Sequence, residues 1–555
     1  MGSFSPVKMA QYGTRVSSYR SEGLTPLSWA AKGGHEAVVE LLLARDDVNP
    51  SAPDTRGQIP LHIAAYEGHE GVVKMLLARG DVDPNTQSES GHTPLWGAAE
   101  KGHERVVKVL LERNNINPNI ASSFGETPLY KAAYEGHVGV VKMLLERDDT
   151  NPNTETSLCK TPLFVAAGRG HEGVVRMLLT RPDANLNTTN NMGQTPLCWA
   201  AIGGREGVLK ALLERADLNP NTADLNGCAP LFEAAYWGHE GALKILLGRV
   251  DVNPNTANNN NETPLFIAAK HGLTEIVQIL LERADVNPNT ANKFNETPLF
   301  IAADKGHGGL VEMLLGRSDI NPNTADHEGK TPLTVAAFYG KGGIVKTLLE
   351  RQDVNPNHID KEGSTPLYRA AVLGHERVVE MLLGRAEVNP NDMFDGGDTV
   401  LSSAAMWGEE GVVKILLEQG GANPNTTNNR GQTALFKAAG NGEEKVVKVL
   451  LDQSGIDPKI AAKCGKTPLA KAACGGHEAV VKMLLERVDI ISDTVDLAGD
   501  TALSSTQKNG HHAIVELLSK RKNQTPQADG DKSRALPSPG LSDPDQHPSK
   551  KNRRF

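Results

Sequence analysis

A repeat of 34 residues runs through this chain of 555 residues and constrains its fold more than any other feature. A Thr-Pro-Leu motif begins at Thr25, and steps of 34 residues from it reach fifteen equivalent positions without an insertion. A chain of this length would otherwise predict several globular domains, whereas self-similarity at a fixed period predicts an array of stacked units. The fifteen anchors are Thr25, Ile59, Thr93, Thr127, Thr161, Thr195, Ala229, Thr263, Thr297, Thr331, Thr365, Thr399, Thr433, Thr467 and Thr501.

The unit that starts at Thr263 illustrates what each repeat predicts. Thr263 is a good N-cap and Pro264 suits the first helical position, so a short helix begins there. Gly272 stands where a left-handed residue ends that helix and reverses the chain into a second helix, Thr274 to Arg283. The apolar residues of the two helices form single stripes that neither helix can bury alone, so the units must stack.

The rest of each unit lacks a helical period and is rich in Asn, Pro and other turn formers. It predicts an extended, hairpin-like finger that projects from the stack. Asn-Pro occurs in ten of the fingers and Asp-Pro in two, at Asp83 and Asp457. Proline should stiffen the base of each finger, since it also holds the preceding residue extended.

The motif TPLxxAAxxGHxxVVxxLL, followed by an Asp-Val-Asn loop, resembles the ankyrin repeat over residues 21–520. The resemblance implies an all-α repeat solenoid of about fifteen helix-turn-helix units with finger loops. The unit is one residue longer than the usual ankyrin repeat of about 33, and the histidine of the family's TPLH motif occurs only at His62. The Asn-Pro-Asn fingers are similar to those of ankyrin arrays from filamentous fungi.

In the ankyrin family, variable residues line a concave groove, and the resemblance implies that a protein partner binds this groove and the finger loops. The variable positions here are the two residues after each Thr-Pro-Leu and the two before each turn glycine. We call the latter two the first and second turn positions. Binding hot spots favour aromatic residues, and the partner contacts that we predict are Tyr66, Tyr134, Tyr236, Trp237, Phe338, Tyr339, Met406 and Trp407.

Aromatic residues directly after the motif leucine have two interpretations. They could contact the partner as well, or they could stack on their neighbours as a packing ladder under the fingers. The second turn position and the first are harder to explain by packing, because Lys270, Asp304 and Asn441 also occupy them.

Charge and composition predict three segments: an N-terminal segment 1–20, the array 21–520 and a disordered basic tail 521–555. Residues 519–555 carry nine Lys and Arg against four Asp, which leaves 49 basic and 63 acidic residues on the rest. This acidic body argues against nucleic-acid binding by the array. In the last unit, Thr506 and Gln507 replace the paired alanines, as expected of a capping repeat.

Motifs that could indicate chemistry fail on spacing. Gly329-Lys330-Thr331 lacks the earlier glycine of a phosphate-binding loop, no histidine follows the His-Glu pairs at i+4, and the five cysteines form no CxxC pair. We therefore expect no catalytic residue, cofactor or metal. The chain has no apolar stretch of membrane-spanning length and no secretory signal, so we expect a cytoplasmic, possibly nuclear protein that does not enter membranes.

The sequence therefore predicts a protein-protein interaction scaffold or recognition module rather than an enzyme. One alternative stays open. The array could be the regulatory or sensor arm of a modular enzyme or signalling protein whose effector domain is not in this chain.

Overall fold

The computed structural model describes residues 23–522, so the expected N-terminal segment and nearly all of the expected tail lie outside the described residues. Thirty α-helices occupy this range, two for each of the fifteen repeats. The first helices of the repeats are α1 Pro26–Lys32, α3 Pro60–Glu67, α5 Pro94–Lys101, α7 Pro128–Glu135, α9 Pro162–Arg169, α11 Pro196–Ile202, α13 Pro230–Tyr236, α15 Pro264–His271, α17 Pro298–Lys305, α19 Pro332–Phe338, α21 Pro366–Val372, α23 Val400–Trp407, α25 Ala434–Asn441, α27 Pro468–Cys474 and α29 Ala502–Lys508.

The second helices follow each turn glycine and complete the repeats. They are α2 Glu36–Leu43, α4 Glu70–Ala78, α6 Glu104–Leu111, α8 Val138–Leu145, α10 Glu172–Leu178, α12 Glu206–Leu213, α14 Glu240–Leu247, α16 Thr274–Leu281, α18 Gly308–Leu315, α20 Gly342–Leu349, α22 Glu376–Leu383, α24 Glu410–Glu418, α26 Glu444–Leu451, α28 Glu478–Glu486 and α30 His512–Lys522. None of the helices described within residues 23–522 has both the length and the apolar character that a membrane span requires.

The described helices divide into two compact units. The first unit ends at Asn389 and contains the helix pairs of repeats 1 to 11, and the second begins at Pro390 and contains repeats 12 to 15. Within each unit, first helices pack on first helices of adjacent repeats, and second helices on second helices. A short 3-10 turn at Asp395–Gly397 precedes α23, whose first residue is Val400 instead of proline.

The helix ends follow the physical chemistry of their residues. The backbone N–H of Phe266 donates a hydrogen bond of 3.1 Å to Oγ1 of Thr263, which caps α15. Gly272 ends this helix with a φ of 73°, a left-handed conformation that glycine adopts without strain. The second helix ends at Leu281, two residues earlier than expected, and Arg283 uses its side chain instead.

Arginines after the second helices join neighbouring repeats. Nη1 of Arg283 donates to the carbonyl oxygen of Leu247, at the end of the preceding second helix, at 2.8 Å. Its Nη2 lies 2.7 Å from Oδ2 of Asp285, which fixes the guanidinium. Because helix ends leave carbonyl groups without intrahelical partners, this arginine satisfies one from outside.

The core is a column of small and branched apolar side chains. Each first helix contributes the motif leucine and two alanines, and each second helix contributes two branched residues and a leucine. In repeat 8 all of these are at most 2 % exposed, namely Leu265, Ala268, Ala269, Ile276, Val277 and Leu280. The paired alanines let adjacent first helices approach closely, because helix separation depends on the side chains at the contact.

Candidate partner-binding surface

Rings that directly follow the motif leucine belong to the core. Seven of them are at most 6 % exposed: Trp96, Tyr130, Phe164, Phe232, Phe266, Phe300 and Phe436. Their burial confirms the packing-ladder interpretation for these residues. They stabilise the stack under the fingers and leave little surface for a partner.

Rings at the two turn positions are much more exposed. The exposed fraction is 42 % for Tyr236, 55 % for Trp237 and 51 % for Tyr339. Tyr66 and Trp407 are also exposed, whereas Tyr134, Phe338 and Met406 are half-buried. All eight predicted contact residues therefore present some surface to solvent, with Trp237 presenting the largest fraction.

Two aromatic pairs stand out in the first unit. The ring centroids of Tyr236 and Trp237 lie 5.2 Å apart in an edge arrangement, and those of Phe338 and Tyr339 lie 5.0 Å apart at 90°. Such edge-to-face geometry is favourable for aromatic rings. Each pair therefore forms a compact apolar knob at the turn of its repeat.

Glu233 orients Trp237. Nε1 of Trp237 donates a hydrogen bond of 3.1 Å to Oε2 of Glu233, one turn earlier. Burial raises the pKa of the Glu233 carboxyl above its usual value, while the hydrogen bond from Trp237 acts in the opposite direction. The indole is thus exposed but held in one orientation.

Side chains of the following repeat cover several rings at the first turn position. Nζ of Lys101 lies 4.6 Å from the ring centroid of Tyr66, and the guanidinium carbon of Arg169 lies 3.5 Å from that of Tyr134. His271 makes an edge contact of 5.3 Å with Tyr236. In all three cases the covering residue follows the ring by 35 residues, because it occupies the second turn position of the next repeat. Tyr66 and Tyr134 thus already have cation-π partners within the chain.

The structure does not gather all predicted contacts into one cluster. Repeats 8 and 9 separate the two aromatic pairs of the first unit and carry charged or polar residues at the turn positions: Lys270, His271, Asp304 and Lys305. No ring contact joins the two pairs across these described repeats. Met406 and Trp407 belong to the second unit.

One group of potential metal ligands lies close to the Trp237 indole. Carboxylate oxygens of Asp224 and Glu233 and the sulfur of Cys228 lie within 4.8 Å of one another. Oδ1 of Asp224 already accepts backbone N–H bonds from Asn226 and Cys228, as equivalent Asp residues do in other fingers. Burial raises the pKa of the Cys228 thiol to about 12, so the sulfur keeps its proton. A finger turn explains this arrangement without a metal.

Sequence reasoning missed two open clefts between the fingers and the first helices. A cleft of about 400 Å³ in repeats 1 to 3 lies beside Tyr66, and a cleft of about 320 Å³ lies beside Met406 in the second unit. Gly97 and Gly440 line one cleft each. A glycine in a column that usually carries a side chain is the one sequence signal that could have indicated such space.

Comparison with known proteins follows from this geometry. The chain matches the family model for ankyrin repeats (3 copies) over residues 3–88, 80–156, 149–224, 215–290, 231–326, 299–393, 384–462 and 454–529. A crystal structure of the human ASB11 ankyrin repeat domain is similar at 27% identity, with coverage of 40% of this chain and 97% of that domain and a TM-score of 0.36. No protein of curated function matches the chain.

Ankyrin repeats are generally protein-protein interaction modules and are typically not catalytic. The matched segments extend from residue 3 to residue 529 and overlap one another throughout. With the helix pairs, the turn glycines and the fingers in the same order in every repeat, the chain belongs to the ankyrin-repeat family.

Proposed function

We propose that this chain is a protein-binding scaffold or recognition module whose main contact surface is formed by side chains at the turn positions. The exposure of Trp237 and Tyr339, in contrast to the burial of rings after the motif leucine, carries the proposal. Finger loops, together with Tyr66, Tyr134, Met406 and Trp407, extend the contact surface. The partner is another protein of the cytoplasm or nucleus.

Exposed rings at these positions contribute little to folding. The stack is already supported by the motif leucines and paired alanines, which are almost fully buried. A ring that stays about half exposed gains only part of the free energy that burial of its apolar surface provides. Burial of that remaining surface by a partner would recover the rest, which is why Trp and Tyr dominate binding hot spots.

The aromatic pairs are also organised before binding. Glu233 holds the Trp237 indole, and Nε2 of His375 holds the backbone of Phe338 through its carbonyl oxygen at 2.9 Å. A side chain that is already ordered loses less conformational entropy when it enters an interface. Preorganised apolar knobs therefore favour recognition by a complementary surface.

Affinity purification with the full chain, followed by mass spectrometry, would supply a partner, and a double variant would test the surface. Trp237→Ala with Tyr339→Ala should weaken the captured partner by about 2 kcal/mol or more per hot residue. Val250→Ala is a matched control, because this valine is 97% exposed and lies outside the turn positions.

The melting temperature of each variant separates binding from packing. Surface substitutions usually change stability by less than about 0.5 kcal/mol, so the double variant should melt close to the parent chain. A lower melting temperature with unchanged affinity would show that these rings are packing residues and that the proposal is wrong.

A further inference from the structure

The cleft of the second unit has an unusual lining for this array. It lies between the fingers and the first helices of repeats 12 to 14, and Met406, Arg430, Lys437 and Lys471 are among its walls. Gly440 occupies the first turn position of repeat 13, so no side chain fills the space between Met406 and the following repeat. The result is an open recess of about 320 Å³ at the turn positions.

The surroundings of this cleft are basic, although the chain has a net charge of -9. In repeats 13 and 14, the finger and first-helix segments 424–442 and 456–476 contain a single acidic residue, Asp457. The same segments contain six cations: Arg430, Lys437, Lys459, Lys463, Lys466 and Lys471. A local excess of five positive charges in an acidic protein raises the concentration of negatively charged partners at this surface.

One of these cations is neutralised within the cleft and the others extend around it. Nζ of Lys437 lies 2.6 Å from Oδ2 of Asp398, while Nδ2 of Asn428 donates to Oδ1 of the same carboxylate at 2.7 Å. Arg430 approaches the cleft from a finger tip, and Lys471 approaches it from α27 in the next repeat. The backbone N–H of Lys463 donates to the carbonyl oxygen of Arg430 at 2.8 Å, so the two finger tips with their cations are side by side.

We propose that this cleft binds an acidic peptide segment of a protein partner, with a carboxylate side chain received between Arg430 and Lys471. The inference rests on the proposed protein-binding function and names the chemistry of one recognised segment. Guanidinium and ammonium groups form charge-assisted hydrogen bonds with carboxylates. The exposed Trp407, next to Met406 at the cleft, offers an apolar contact beside the charges.

The length of the basic surface favours a peptide over a nucleic acid. Nucleic-acid binding draws on many phosphate contacts along a continuous row of cations. Here the cations are confined to two repeats, and the finger and first helix of repeat 12 carry Asp392 and Asp398 and no cation within residues 390–408. A short acidic segment fits this restricted patch, whereas a strand that continued past it would meet carboxylates.

Fluorescence anisotropy with the full chain tests the proposal directly. The probe is a labelled peptide of alternating Glu and Ser, and the comparison probes are the same peptide with Gln for Glu, a Lys-Ser peptide and a single-stranded DNA oligonucleotide of similar length. We expect the Glu peptide to bind at physiological ionic strength, with weaker affinity at higher salt. Equal binding of the Gln peptide, or tighter binding of the DNA, would overturn the proposal.

Paired variants locate the site. Arg430→Gln with Lys471→Gln should weaken the Glu peptide by about tenfold or more. Lys445→Gln with Lys482→Gln removes the same charge from the second helices of the same two repeats and should leave the affinity within about twofold. Charge reversal, Arg430→Glu with Lys471→Glu, should transfer the preference to the Lys-Ser peptide, and equal loss of affinity in all three variants would contradict a local site.

The test is independent of the aromatic pairs in the first unit. Trp237→Ala with Tyr339→Ala should leave binding of the Glu peptide unchanged while it weakens the captured partner. If the aromatic variant has no effect on the partner but the Arg430 and Lys471 variants abolish Glu peptide binding, the turn-position proposal fails and the acidic-peptide proposal stands. The opposite outcome removes the acidic-peptide proposal alone.

Discussion

Nε2 of His375 lies 2.9 Å from the carbonyl oxygen of Phe338, which is 37 residues earlier and occupies the first turn position of the preceding repeat. The same contact links His103 to Tyr66 and His171 to Tyr134. Because the ring nitrogen donates to a carbonyl near the end of a first helix, it satisfies a group that has no partner in its own helix. The histidines therefore fix the backbone of several predicted contact residues.

His375→Ala should destabilise repeats 10 and 11. Loss of one hydrogen bond to a partly buried carbonyl costs about 1 kcal/mol, and hydrogen exchange of the amides around Gly340 and Gly374 should become faster. His358→Ala is the control, because this histidine lies in a finger outside the histidine column. Unchanged exchange in the His375 variant would show that the contact does not stabilise the turn.

Asparagines in the fingers form a second ladder between repeats. Nδ2 of Asn289 donates to the carbonyl oxygen of Asp319 at 2.7 Å, and Oδ1 of Asn289 accepts from the backbone N–H of Asn321 at 2.8 Å. Both partners belong to the next finger. An amide side chain can make this pair of bonds because it carries a donor and an acceptor.

Asn289→Asp should therefore be destabilising although it is nearly isosteric. The carboxylate keeps the acceptor, loses the donor and faces the carbonyl oxygen of Asp319, so we expect a loss of about 1 to 2 kcal/mol at neutral pH. Asn260→Asp, at an exposed finger tip, introduces the same charge and should change stability by less than about 0.5 kcal/mol. Urea denaturation of the two variants provides the comparison, and equal midpoints would refute the role of the ladder.

Features within one repeat could be predicted from the sequence. The cap at Thr263, the left-handed Gly272 and the two apolar stripes follow from local preferences, and the structure confirms each of them. The recurrence of these signals in fifteen units also predicted the stack. Local chemistry was sufficient because each of these features involves residues that are close in the sequence.

Relationships between repeats were not accessible in the same way. Asn289 looked like an ordinary turn former, because its hydrogen-bond partners are 30 and 32 residues away. The contact of Lys101 with Tyr66 depends on how neighbouring repeats superimpose, which a local pattern does not specify. For the same reason the sequence left open whether Phe164 and its equivalents were packing or contact residues, and only their burial decided it.

Thr150 contains a buried hydroxyl that has no hydrogen-bond partner in the described chain. It is 2% exposed and occupies a column in which Val252, Val286 and Val354 are equally buried. Thr150→Val removes an unsatisfied polar group with almost no change in shape, so it should stabilise the first unit by about 1 kcal/mol or more. The change is measured as an increase in the free energy of unfolding.

Thr161→Val provides a matched control for this substitution. Thr161 is as buried as Thr150, but its Oγ1 accepts the backbone N–H of Phe164 at 3.2 Å and caps α9. The same chemical change should therefore destabilise the chain by about 1 kcal/mol there. If both variants shift stability in the same direction, hydrogen bonding of the hydroxyl is not what distinguishes the two sites.

His62 should make repeat 2 sensitive to acid. It is 4% exposed, Nδ1 accepts the backbone N–H of Ile59 at 3.2 Å, and Nε2 donates to the carbonyl oxygen of His92 at 2.9 Å. These bonds require the neutral ring, and burial lowers its pKa from 6.5 to about 4. Above pH 6.5 the folded and unfolded chains both carry a neutral His62, so its full contribution to stability is present.

As the pH falls from 6.5 to about 4, the unfolded chain takes up a proton that folded His62 does not, so the free energy of unfolding decreases. The difference in pKa corresponds to a loss of about 3 kcal/mol, which is complete below pH 4. His62→Phe places the residue type of Phe164 and Phe266 at this position and should remove this part of the pH dependence, whatever its effect at neutral pH. Amide exchange in α3 measured at several pH values checks the slope, and an equal slope in the two proteins would mean that His62 is already protonated in the folded chain.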